Sequence, residues 1–95
     1  MSEQPPLDFA KVEVLRKHML LTVKQLCELF GVTRMTYYGW LKGKNIRSYN
    51  DFKVRKTLKA LLTIMNEHQW PTPEAIAMTS KERFEHLVAL IGDND

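Results

Sequence analysis

Two threonines and two glycines, Thr22, Gly31, Thr33 and Gly43, cut one stretch of this 95-residue chain into two short helical segments with almost no room between them. The Thr22 hydroxyl can accept from the free N–H groups that open a helix, and Gln25 stands three residues on, completing a capping-box pattern. The helix so opened spans about 23–30 and turns Leu26, Leu29 and Phe30 inward. Gly31 follows, as glycine does where a chain leaves a helix through a left-handed conformation. Thr33 caps the next helix, about 34–42, and Gly43 ends it. Helices joined by so tight a turn cross steeply. Leu26, Phe30, Val32, Tyr37 and Trp40 are spaced to fill the wedge between them, and Cys27 is small where the second helix passes over the first. Thr33, Arg34, Met35, Tyr38, Gly39 and Lys42 remain for the outer face, which is polar, cationic and aromatic.

The flanking segments also read as helix. Val, Ile and Thr are scattered, without the alternation of half-buried strands. Phe9, Val12, Leu15, Met19 and Leu20 recur at three- to four-residue spacing, which predicts a helix over about 7–20. Residues 45–50 read as a polar connector. A longer helix over about 51–68 follows, with Phe52, Val54, Leu58, Leu61, Leu62 and Met65 as its apolar stripe. Pro71 and Pro73 end it, and Thr72 and Pro73 suit the cap and first position of a short helix over 73–78. Thr79 and Glu82 repeat the capping-box spacing before a last helix carrying Phe84, Leu87, Val88 and Ile91, closed by Gly92 and an acidic tail. The fold class is therefore all-α: a compact bundle of about five helices containing a helix-turn-helix, one domain over 1–95.

Charge is distributed unevenly along this bundle. Residues 34–59 hold eight cations against the single Asp51, whereas residues 60–95 hold two cations against six carboxylates. A basic stretch coating one part of a small fold is the electrostatic footprint of a polyanion partner, although a solvated helix face looks the same in sequence. Catalytic and metal chemistry find little support. His18, His68 and His86 lie far apart without ligand spacing, the carboxylates form no acid–base pair, and the glycines mark turns or helix ends rather than a phosphate loop. We expect no enzyme, no cofactor and no small-molecule substrate. Cys27, the single cysteine, excludes an internal disulfide and fits a reducing, cytoplasmic setting. No apolar run approaches the roughly 18 residues that cross a bilayer, so no signal peptide or membrane anchor is expected.

The stretch from Thr22 to Gly43 resembles the helix-turn-helix of the phage lambda-repressor and Cro class. Its Thr-Val-Lys-Gln-Leu, Gly-Val-Thr-Arg and Trp-Leu wording also looks like the excisionase and MerR type, but those continue into a β wing where this chain turns to helix. The resemblance implies a DNA-binding transcription regulator, a repressor occupying an operator in double-stranded DNA, with helix 34–42 in the major groove. Arg34 would then contact guanine O6 and N7, worth roughly 1–3 kcal/mol of discrimination. Thr33, Met35 and Tyr38 would meet a base edge, a thymine methyl or the sugar-phosphate chain. The exposed N–H groups near Val23 and Lys24, beside the Thr22 cap, would receive a phosphate, with Lys24 gripping the backbone there. Lys42, Lys44, Asn45 and Arg47 would grip the backbone on either side. Residues of about 7–69 form the DNA-binding part in this reading, and about 72–92 the helices of a homodimer, a monomer with all its apolar residues internal being the alternative. Two further readings stay open: a DNA-packaging subunit resembling the small terminase subunit, and a protein-binding module using the basic face.

Overall fold

In the computed structural model, which describes residues 5–93, six helices are present among the described residues, with no strand. They are α1 (Phe9–His18), α2 (Val23–Phe30), α3 (Arg34–Leu41), α4 (Ser48–Glu67), α5 (Pro73–Ala77) and α6 (Ser80–Asp93). The expected all-α bundle is what the chain forms, within 39 × 31 × 20 Å.

Local chemistry sets most of the boundaries. Thr22 accepts from the Gln25 N–H while Gln25 Oε1 accepts from the Thr22 N–H, both at 3.0 Å. Thr33, Thr72 and Thr79 cap α3, α5 and α6 in the same way, each accepting from the N–H three residues on. At the far ends, α1, α2 and α3 close with one shared pattern of backbone bonds. Leu21 donates to the Arg16 carbonyl, Val32 to Cys27 and Lys44 to Gly39, at 3.1, 3.0 and 3.0 Å. The residue inside each turn is left-handed: Leu20 at φ 62°, Gly31 at 73° and Gly43 at 100°. Leucine strains against this conformation, and Arg16 Nη1 steadies the turn by donating to the Leu21 carbonyl at 2.8 Å. This turn is why α1 stops at His18, short of the expected residue 20.

Three further expectations need correction. The fourth helix starts at Ser48, so residues 48–50 belong to it rather than to a connector. Its inner stripe is Asn50, Val54, Leu61 and Ile64, and a polar residue at the head of the stripe hides the start. Phe52 is 68% exposed and Leu62 also faces outward. Two positions from Val54 is about 200° around a helix, which turns Phe52 away from the core. Gly92 lies inside the last turn of α6 instead of ending it, because only Gly31 and Gly43 among the glycines adopt positive φ.

All six helices contribute to one core, α5 through Ala75. Met19, Tyr37, Val54, Leu61, Ile64 and Leu87 are wholly buried in it, beside Leu26, Phe30 and Trp70. Trp70 follows α4 and returns under α1, donating its indole N–H to the Met19 carbonyl at 3.0 Å. Burying an aromatic of this size contributes strongly only when its N–H finds an acceptor, as here.

Candidate nucleic-acid interface

Helix α3 has two sides that do different things. On its inner side Tyr37 and Trp40 are buried. Trp40 stacks on Phe9 at 5.3 Å between ring centres, and Tyr37 meets Phe9 edge-on at 6.1 Å. The Tyr37 hydroxyl donates to Glu13 Oε2 at 2.6 Å, and Arg16 grips both Glu13 oxygens at 2.8 Å. The Arg16 guanidinium, aided by the Tyr37 hydroxyl, draws the Glu13 carboxyl from its ordinary 4.5 down to about 2, against an opposing effect of burial. Burial first, then the bond to Glu13, pushes the Tyr37 hydroxyl far up, so it stays a donor. Packing and a charge-assisted bond thus bolt α3 to α1.

On the outer side, Thr33, Arg34, Met35, Tyr38, Gly39, Lys42 and Lys44 line one shallow hollow. It is the expected outer face with Lys44 added. Met35 is 84% exposed and Tyr38 nearly half exposed. No helix of the C-terminal half contributes to its lining. Residues 33–50 contain four cations, Arg34, Lys42, Lys44 and Arg47, and no carboxylate. The two ion pairs among the described residues, Arg16–Glu13 and Arg55–Asp51, involve none of them.

The Lys44 stem crosses α3 at Gly39, where an added Cβ would stand 3.1 Å from Lys44 Cδ. Glycine at this helical position therefore makes room for the chain's own lysine. Lys44 joins the hollow to a second one, which Asn45, Arg47, Tyr49 and Asn50 line beyond Met35 and Gly39.

Of the residues singled out in the sequence, Thr33, Arg34, Met35, Tyr38, Lys42, Lys44, Asn45 and Arg47 therefore gather around α3. Thr22 and Lys24 stand apart at the start of α2, outside both hollows. The Thr22 oxygen is engaged by its own helix, while the N–H groups of Val23 and Lys24 have no backbone acceptor among the described residues. Among the cations of α4, Lys53 lies at the turn, its ammonium 3.3 Å from the Gly31 carbonyl. Arg55 turns the other way, to Asp51 and the Pro5 carbonyl.

The sequence did not single out Tyr49, Asn50 or Thr36 for this surface. Tyr49 and Lys53, one helical turn apart and 5.7 Å from ring centre to ammonium, were the available signal for the first. Glu13 was missed as the anchor of Tyr37, although its spacing to Arg16 suits an ion pair. Cys27 is buried beneath α3, and that burial pushes its thiol up, consistent with packing rather than nucleophilic use. No group of residues able to hold a metal ion occurs among the described residues, and no helix there is long and apolar enough to cross a membrane.

No protein-family model, curated protein or solved structure matches the chain. What the fold and surface define, among the described residues, is a six-helix bundle with a cationic hollow along α3 and the turn after it.

Proposed function

We propose that the chain binds double-stranded DNA, reading bases in the major groove with the outer face of α3 and acting as an operator-occupying transcription regulator. The observation that carries this reading is the hollow from Thr33 to Lys44, with exposed cations unpaired by carboxylates on a helix whose other side is locked to α1. A base-reading element needs that combination: side chains free to reach an edge, on a backbone that cannot yield. Arg34 lies in the first turn of α3, and on this reading it makes the bidentate guanine contact. Met35 and Tyr38 supply apolar contact beside it, and Lys42, Lys44 and Arg47 supply phosphate contacts.

A single recognition helix reads few base pairs, so the module acts as a two-fold dimer on half-sites about one DNA turn apart. Exposed Ile76 on α5 and Val88 on α6 are apolar contributions to such an interface from the last two helices.

The test is duplex binding across a salt series. Neutralising several phosphates gives a log–log slope of about −0.9 for each phosphate contacted. A slope steeper than about −3 supports the reading. Binding indifferent to salt, or absent at low salt, contradicts it.

A further inference from the structure

We propose that the start of α4 is a built oxyanion site, taking one phosphate group beside the base-reading face. Helix α4 runs 20 residues from Ser48, and no side chain caps its first turn. The N–H groups of Ser48, Tyr49 and Asn50 have no backbone acceptor among the described residues. An open helix end is common and alone would mean little. The independent observation is Asn50. It is a polar side chain only 8% exposed, it forms no hydrogen bond among the described residues, and it lines the hollow at this helix end. None of its polar atoms is sealed off without a partner, so the carboxamide stays open to solvent on a residue that lines the hollow. A carboxamide with no protein partner keeps its hydrogen-bonding capacity for a group held in the hollow.

The surrounding charge selects the ligand. Lys44, Asn45 and Arg47 line the same space. Asp51, the carboxylate of the first turn, is drawn off by Arg55 at 2.6 Å. N–H donors, the positive end of a long helix, a carboxamide and two cations suit a tetrahedral oxyanion. A phosphodiester of the duplex backbone and a free phosphate share that chemistry. The oxyanion site stands on this geometry; only its assignment to the duplex rests on the function proposed above.

Two substitutions separate binding from folding. Ser48→Pro deletes one N–H at a helix position where proline is tolerated, and the extended Arg47 before it (φ −72°, ψ 152°) already suits a following proline. Asn50→Asp keeps the shape and sets a charge that the helix end tolerates but a phosphate does not. Each variant's thermal midpoint is measured beside its binding.

The backbone amide signals of residues 48–50 are followed as inorganic phosphate, and separately a duplex, is added to the full chain. Shifts with both, together with roughly tenfold weaker duplex binding by folded Asn50→Asp, establish the phosphodiester site. Ser48→Pro should weaken it roughly two- to fivefold. Shifts with inorganic phosphate that Asn50→Asp abolishes, without any duplex binding by the unsubstituted chain, uphold the oxyanion site and overturn the function. Amide signals that stay still with both ligands overturn the site, even if the duplex binds elsewhere.

Discussion

Helices α2 and α3 have the same length, eight residues, and each begins at a threonine cap, yet one is a brace and the other carries an open face, the probe of the proposed function. Helix α2 buries Leu26, Cys27 and Phe30, ends in the left-handed Gly31 and is tied at its start to α6, where Gln25 Nε2 donates to Ser80 Oγ at 3.1 Å. Helix α3 buries Tyr37 and Trp40 and leaves Arg34, Met35 and Tyr38 to solvent. The sequence difference behind this is small: α2 has three apolar anchors in one stripe, whereas α3 spends two large aromatics on anchoring and frees the rest of its circumference. Two rings can hold a short helix because each buries some 150–250 Å².

That contrast can be attacked first where the two helices should agree. Removing an inner aromatic from either, Phe30→Ala or Trp40→Ala, should cost about 3–5 kcal/mol in urea unfolding. A Trp40→Ala protein with an unchanged midpoint would show that α3 is not anchored by its rings.

The next effect belongs to α3 alone. The depressed Glu13 carboxyl contributes stability that is present above its ordinary 4.5 and disappears as pH falls through that value towards about 2. Acid unfolding should therefore begin earlier in the parent chain than the remaining carboxylates account for, and Glu13→Gln should flatten that part of the profile while lowering stability at neutral pH. Identical profiles for the two proteins would mean that the Tyr37–Glu13–Arg16 network holds nothing.

Smaller still is the loss at the brace. Thr22→Ala removes half of a reciprocal cap and should cost about 1 kcal/mol, with duplex affinity reduced only as far as folding is. Lys44→Ala should do the opposite, leaving the unfolding midpoint within about 0.5 kcal/mol and weakening every duplex alike. If Lys44→Ala destabilised the fold more than Thr22→Ala, the division between brace and probe would blur.

The sequence made the α2–turn–α3 unit legible because its punctuation is local. A threonine hydroxyl reaches three residues forward, and a glycine releases one turn, so Thr22, Gly31, Thr33 and Gly43 fix the boundaries unaided. The outer face followed from the same register. Legibility failed where the deciding partner is distant or of an unexpected type. Glu13 meets Tyr37 across 24 positions, which no spacing rule covers. Leu20 ends α1 in a conformation that usually asks for glycine. Asn50 occupies a core position of α4 with a polar side chain, so the apolar pattern starts after it and nothing local marks the second hollow. Phe52 reads as core by type, and only the register set by Val54 and Leu61 turns it outward.

On the proposed function, the α3 outer face reads base pairs through Arg34. Selecting bound sequences from a random duplex pool, in parallel for the parent chain and for Arg34→Ala, tests it most directly. The parent chain should enrich a motif with guanine at a fixed position, and the folded variant should lose that preference there, at roughly 1–3 kcal/mol of discrimination, while keeping the rest. The same motif recovered from both proteins, with guanine undiminished, would show that Arg34 reads no base.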